Sequence, residues 1–342
     1  MLWAPFPALA FGDDACSSNA LALLQQVDTN GYNIVRQVRD NQFFAQWLLC
    51  DTRNYGLGLA VHETFHKLDV EKLSDQTHHA YYITHNEVLK IHPYKLFNRG
   101  EIGLYIPVPE RDEYFQQYLE GPSGQQDITM VLEELDAYTQ GTITDSKLVD
   151  YMNENERQST RDGVATFMYY TELYVKRGRE AHPTHWRKMA GDPAYLTLIQ
   201  RLWQRAEDTL KPIMTEPRLG LRDGAILAKV YSPESLAEMK LLFEAGKRQF
   251  RFDPQILLLA QRNNDENSTP QPELTSPASP AEVATPGPEV VPNRAPRTVT
   301  VMYNGAPVSL AQLEKMLLDQ PDLQNDKQFM KLLRTMRDLE KP

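Results

Sequence analysis

No stretch of this sequence reaches eighteen consecutive apolar residues, so nothing in it reads as a membrane-spanning helix. Long runs of Lys or Arg are missing too. With 36 Lys and Arg against 46 Asp and Glu the formal charge is -10. A nucleic-acid partner calls for a clustered basic surface and is excluded on that ground. The acidic excess reads as solubility. No repeat recurs at a period of 20 to 50 residues, which excludes a solenoid. Cysteine is scarce: Cys16 and Cys50 are the two. They would pair in an exported protein, or stay reduced in the core of a cytoplasmic one. What the chain does have is 342 residues at 41% hydrophobic content, enough for one large domain or two ordinary ones.

Residues 1–14 open on an apolar run that closes in Ala8-Leu9-Ala10 just before Asp13 and Asp14. This reads as the remnant of an export signal, short and without a basic start, or else as an apolar arm. On the first reading the protein is periplasmic or secreted, and on the second cytoplasmic. Residues 263–297 are dense in Pro, Ser, Thr and Glu and nearly empty of large apolar side chains. Such a segment cannot bury enough surface to offset its ordering entropy, and it is expected to be a disordered linker. Beyond it, 298–342 reads as a small α/β module or docking arm for a protein partner. It has a strand from Thr298 into the Asn304-Gly305 turn, then helical stretches from near Ser309 and Asp326.

The segment 15–262 is mainly helical, with periodic stretches near 17–28, 32–50, 53–69, 125–140, 159–178, 194–210 and 234–248. Residues 80–91 read as a hairpin turning at His85-Asn86, and Glu101–Pro107 as a further strand. The expected class is therefore mainly α with a small β-sheet, an α+β fold.

Asp51 and Thr52 are good caps, so one helix is expected from there to about Asp69. Leu57, Val61, Phe65 and Leu68 fall on one side of it, and His62 and His66 on another. Four residues apart, the two imidazoles stand one turn above each other and can reach one ion, while Glu63 is rotated about 100° from His62. Two histidines on a metal with a glutamate beside it suit hydrolysis: the metal polarises a water and Glu63 takes its proton. Gly56 and Gly58 mark either close approach of a neighbour or a frayed first turn.

A catalytic Zn2+ needs a third protein ligand and an open position. No histidine stands in residues 67–76, which points to a later carboxylate. Ile128, Val131, Leu132, Leu135 and Tyr138 form the apolar stripe of the next suitable helix. Glu134 flanks that stripe and Glu133 lies nearly opposite, expected in water. Glu134 is the preferred ligand, with Glu172 the rival and Glu133 a further alternative. Tyr169, Tyr170, Tyr174, His182 and His185 are candidates for steadying an oxyanion, although aromatics at helical spacing usually belong to a core. His78, His79, His85 and His92 read as surface and turn residues.

His62-Glu63-Thr64-Phe65-His66 followed by Glu134-Leu135-Asp136-Ala137 resembles the gluzincin class of zinc metallopeptidases. The resemblance rests on these two short segments. It implies a zincin-like domain with His62, His66 and Glu134 as metal ligands, Glu63 as general base and a peptide or protein substrate. The chain departs from the thermolysin-like form, which has an aspartate where Tyr138 stands here. That leaves Asp69 or Asp136 to partner a ligand histidine. The 80–106 sheet is expected to rim the cleft and pair with extended substrate. Two other readings stay open: a non-catalytic interaction protein whose His-Glu-Thr-Phe-His helix is structural or coincidental, and zinc chemistry on a non-protein amide.

Overall fold

The computed structural model describes residues 14–153, 156–256, 258–259, 300–303 and 306–309. The chain divides into two compact units, Met1–Glu273 and Leu274–Pro342. The first is mainly helical with one two-stranded sheet, an α+β fold.

It begins with α1 (Asp14–Val27), α2 (Thr29–Val38) and α3 (Asn41–Ala45). The single helix expected over 32–50 is split by two local devices. Arg39 adopts a left-handed conformation (φ 56°) that ends α2, and the Asp40 carboxylate caps α3 by accepting the Phe43 N–H at 2.9 Å. A disulfide between Cys16 and Cys50 ties α1 to the segment after α3.

The helix expected from Asp51 and Thr52 starts later, as α4 (Leu57–Lys67). Thr52 instead turns its hydroxyl onto the Leu49 carbonyl and the Asn54 side chain. Tyr55 and Gly56 then take positive φ (54° and 59°), with Gly56 as the N-cap. After Lys67 the backbone widens into a π-helical turn, Leu68–Leu73. Such turns are rare and recur at functional sites. Asp69 within it is fully buried and accepts the Tyr82 N–H at 3.0 Å.

The hairpin lies where the pattern places it, with β1 (His79–Thr84) antiparallel to β2 (Glu87–Ile91) and Thr84 facing Glu87 across His85-Asn86. The strand expected over Glu101–Pro107 is instead a 3-10 helix, Arg99–Tyr105. Close packing holds it: a Cβ on Gly100 would come 2.7 Å from the Leu119 carbonyl, and one on Gly103 3.0 Å from the Phe115 ring. Then come α5 (Glu113–Tyr118), α6 (Ile128–Lys147), α7 (Thr160–Ala181), α8 (Pro183–Gly191), α9 (Pro193–Leu210), α10 (Asp223–Val230) and α11 (Pro233–Ala245). Side chains of Asp127, Asp192 and Ser232 cap α6, α9 and α11.

The α6 helix is the organising element, packing against α4, α7, α9 and β1. Its expected apolar stripe is present, yet Glu133, Asp136, Thr139, Gln140 and Thr144 are just as buried, because the helix is enclosed all round. It meets α4 closely. A Cβ on Gly58 would collide with the Asp145 carboxylate, and one on Gly141 would lie 3.0 Å from the Gly58 carbonyl and 3.2 Å from the His62 Cβ. Gly58 thus marks a close approach, and a frayed turn does not explain it.

In the second unit β3 (Thr300–Tyr303) pairs antiparallel with β4 (Ala306–Ser309). The first strand is the expected one and the second was not anticipated. The apolar start, the 263–297 linker and the helical stretches after Ser309 lie outside the described residues, apart from Asp14 and the terminal residue of β4. No helix among the described residues is long and apolar enough to cross a membrane.

Candidate metal centre

His62 and His66 come from α4 and Glu134 from the facing turn of α6, and one ligand atom of each lies within 4.8 Å of the others. Across the triangle, His66 Nε2 is 3.0 Å from His62 Nε2 and 3.4 Å from Glu134 Oε2, while His62 Nε2 is 3.8 Å from that same oxygen. A tetrahedral zinc with bonds near 2.1 Å holds its donors roughly 3.4 Å apart, so the triangle has the right size. Glu134 Oε2 is buried without a hydrogen-bond partner, and two imidazole nitrogens face it. Two nitrogens and a carboxylate oxygen are a zinc donor set, and these residues fit the ion.

The far side of each ring is held as well. His66 Nδ1 lies 2.6 Å from Glu133 Oε1, and the His62 ring bonds the Ala137 carbonyl. Both contacts leave Nε2 directed at the common point, the arrangement that orients histidines on a metal. Tyr138 packs edge-on against the His62 ring at 4.4 Å between centroids. The Gly141 approach holds the His62 Cβ from below.

Charge is divided unequally between the imidazoles. Burial, then the neighbouring His66, lowers His62 to about 3, so it is neutral. Burial also opposes charge on His66, but the Glu133 and Glu134 carboxylates outweigh it and hold His66 well above its usual value. Glu134 is lowered in turn, burial opposing and His66 foremost among the groups that favour its ionised form. Burial lifts the Glu63 carboxyl to about 7, with His66 acting against the shift and Glu134 and Glu133 adding to it. A group poised near neutrality suits proton transfer.

Several expectations are corrected. Glu133 is fully buried and holds His66, because α6 has no water-facing side. Asp69 and Asp136 are also fully buried, and neither meets a histidine: Asp69 takes the Tyr82 N–H and Asp136 pairs with Arg205. Glu172 lies apart from the triangle, in a cavity lined by α7, α10 and α11. Tyr174 donates to the Phe97 carbonyl, and His182 and His185 stack in line with the Phe97 ring. None of these joins the group. His78, His85 and His92 are exposed as expected, while His79 is half-buried and its Nε2 is buried without a partner. The outer edge of β1 is closed to a substrate strand, since Ala80 N–H bonds Ser74 Oγ and Tyr82 N–H bonds Asp69.

Sequence reasoning also missed Tyr118 and Arg99. The Tyr118 hydroxyl lies 2.8 Å from that of Tyr138. Burial first, with Glu134 and Glu63 among the further causes, holds it well above the usual tyrosine value. Arg99 is buried over the Tyr118 ring, its Nη1 without a partner, and its charge helps keep Glu134 ionised. Neither stands near the histidines in sequence; the 3-10 segment and α5 bring them in. No family model, curated protein or solved structure matches the chain.

Proposed function

We propose that the chain is a zinc-dependent metallopeptidase, with His62, His66 and Glu134 as metal ligands and Glu63 as general base. One observation carries the reading: the α4–α6 crossing gathers two oriented imidazoles and a buried carboxylate oxygen, 3.4 and 3.8 Å from them, into a triangle of zinc dimensions, with Glu63 on the same helix as the imidazoles. A zinc ion there would supply the Lewis acidity that activates a water and polarises a carbonyl.

The chain's own groups do the rest. The Glu63 carboxylate takes the proton of the attacking water and returns it to the departing amine nitrogen. Glu133 and the Ala137 carbonyl fix the rings of His66 and His62, so the ligands are set before substrate arrives. Tyr118, whose hydroxyl is bonded to that of Tyr138 and which feels the charges of Glu134 and Glu63, is the group we assign to meet an oxyanion. The Cys16–Cys50 disulfide accords with an oxidising compartment, and so with the periplasmic or secreted reading.

The test is Glu63→Gln. It keeps the ligands and the side-chain volume and removes the base. The expected result is unchanged zinc content with peptide hydrolysis reduced about 10²–10⁴-fold. Hydrolysis at the wild-type rate would refute the assignment.

A further inference from the structure

The helix that carries both histidines starts from a loop that a covalent bond holds. Residues 49–57 close on themselves: the Leu49 N–H bonds the Tyr55 carbonyl at 2.9 Å, and the Leu49 carbonyl accepts the Thr52 N–H and hydroxyl at 3.0 and 2.9 Å. Asn54 is 2% exposed and accepts the Gly56 N–H on its side chain and the Leu57 N–H on its carbonyl, both at 3.1 Å. Those bonds set the N-cap and first residue of α4, and the Leu49 side chain packs 2.9 Å from where a Cβ on Gly56 would stand. Cys50 lies inside this loop, and its bond to Cys16 fastens the loop to α1.

The α1 helix supports the same end of α4. Its Ala20 and Leu24 share one apolar cluster with Leu57, Ala60 and Val61, and Val61 is the residue before His62. The far end of α4 rests elsewhere, with Phe65 packed among Ile34, Val38, Leu68 and Tyr82. The disulfide therefore joins two supports of the first turns of α4, its cap and its apolar bed, and leaves the last turn to other contacts. Cys16 is 8% exposed, whereas Cys50 stands at the exposed end of the bond, the end from which thiol–disulfide exchange proceeds.

We propose that the Cys16–Cys50 bond is a redox switch on the metal centre. Closed, it keeps the first turns of α4 ordered and His62 in the triangle. Open, it lets them loosen, and zinc must restore that order as it binds, so it is held less tightly. The closing reaction is exchange with a small-molecule disulfide: the Cys50 thiolate attacks it to form a mixed disulfide and release one thiolate, and the Cys16 thiolate then attacks the Cys50 sulfur and releases the second. Two protein thiols are oxidised, the reagent is reduced to two thiols, and the two protons pass to the released thiolates. The inference rests on the metal-centre reading.

The experiment is competition titration of zinc against a chelating indicator, with the full chain oxidised, reduced by a phosphine and desalted under inert gas, and carrying Cys16→Ser with Cys50→Ser. Amide hydrogen exchange on the zinc-free forms accompanies it. The expected result is zinc binding at least about tenfold tighter in the oxidised protein than in either open form. The amides of Ala60, Val61 and His62 should exchange faster in the open forms, and those of Phe65, His66 and Lys67 should not change. Equal affinity in folded open and closed protein overturns the proposal, as does exchange that rises evenly along α4. Loss of the helical circular dichroism on reduction also overturns it, because the bond would then be a staple of the whole fold. If the double variant alone does not fold, the reduced protein decides. No zinc bound in any form overturns the metal-centre reading and this inference with it, whereas equal binding overturns this inference alone.

Discussion

The neighbouring helices α6 and α7 each bury a glutamate, and the two carboxyls meet opposite surroundings. Glu134 on α6 faces two imidazoles and is drawn below the usual carboxylate range, while Glu172 on α7 meets no cation and is pushed well above it. The difference lies in how closely a third helix approaches. At Gly58 and Gly141 the absence of Cβ atoms lets α4 approach α6 until His62 and His66 reach the carboxylate. Between α7 and its neighbours α10 and α11 the walls stand apart and leave a cavity. In this pair, the buried acid that gains imidazole neighbours is the one where small residues let a third helix in.

The most direct way to break this comparison is to remove each glutamate in turn. Glu134→Ala should lower zinc affinity by more than the ~100-fold that loss of an outer hydrogen-bond partner costs, and Glu172→Ala should leave it unchanged. Competition titration with a chelating indicator reads both. Equal losses would mean that the triangle is not the site.

Glu133→Gln tests the partner of His66. It should lower zinc affinity about 10–100-fold in the same titration, since Gln supports the ring less well than a carboxylate does. Gly141→Ala tests the approach itself. Alanine returns about 1 kcal/mol of helix preference against about 1–3 kcal/mol of overpacking, so chemical denaturation should show a small net loss. Zinc affinity should fall about tenfold, because the new methyl pushes at the His62 Cβ.

Glu207→Gln is the smallest perturbation and touches nothing at the metal. Burial raises Glu207 from 4.5 to about 7, against Tyr231, the Asp253 N–H and Trp203. The folded state therefore holds this proton more tightly than the unfolded chain does. Its contribution to stability is complete below about pH 4.5 and is lost as pH rises through about 7. Gln keeps the acceptor oxygen and does not titrate. The variant should gain on wild type between those pH values, by at most about 3 kcal/mol, in denaturation curves across that range.

Much of the fold was legible because it rests on local signals. The helical periods, the His85-Asn86 hairpin and the capping aspartates are written in neighbouring residues. At the candidate site, the i,i+4 spacing of His62 and His66 and the flank position of Glu134 placed all three side chains that converge. What failed depended on distant packing. Glu133 was assigned to water because α6 was read as amphipathic. The polar Thr139, Gln140 and Thr144, interleaved with Gly141, were the available sign that this helix has no outer face. The strand expected over Glu101–Pro107 failed for a related reason, since contacts with Phe115, Leu119 and Gly124 fix that segment as a helix. Tyr118 and Arg99 left no local trace, because only the folded chain brings them beside Glu134.

The central claim is the metal, and elemental analysis of zinc-loaded, dialysed protein tests it most directly. The account predicts about one zinc per chain in wild type and none in a folded His62→Ala variant. Wild type that retains no zinc, or a variant that retains as much, would contradict it.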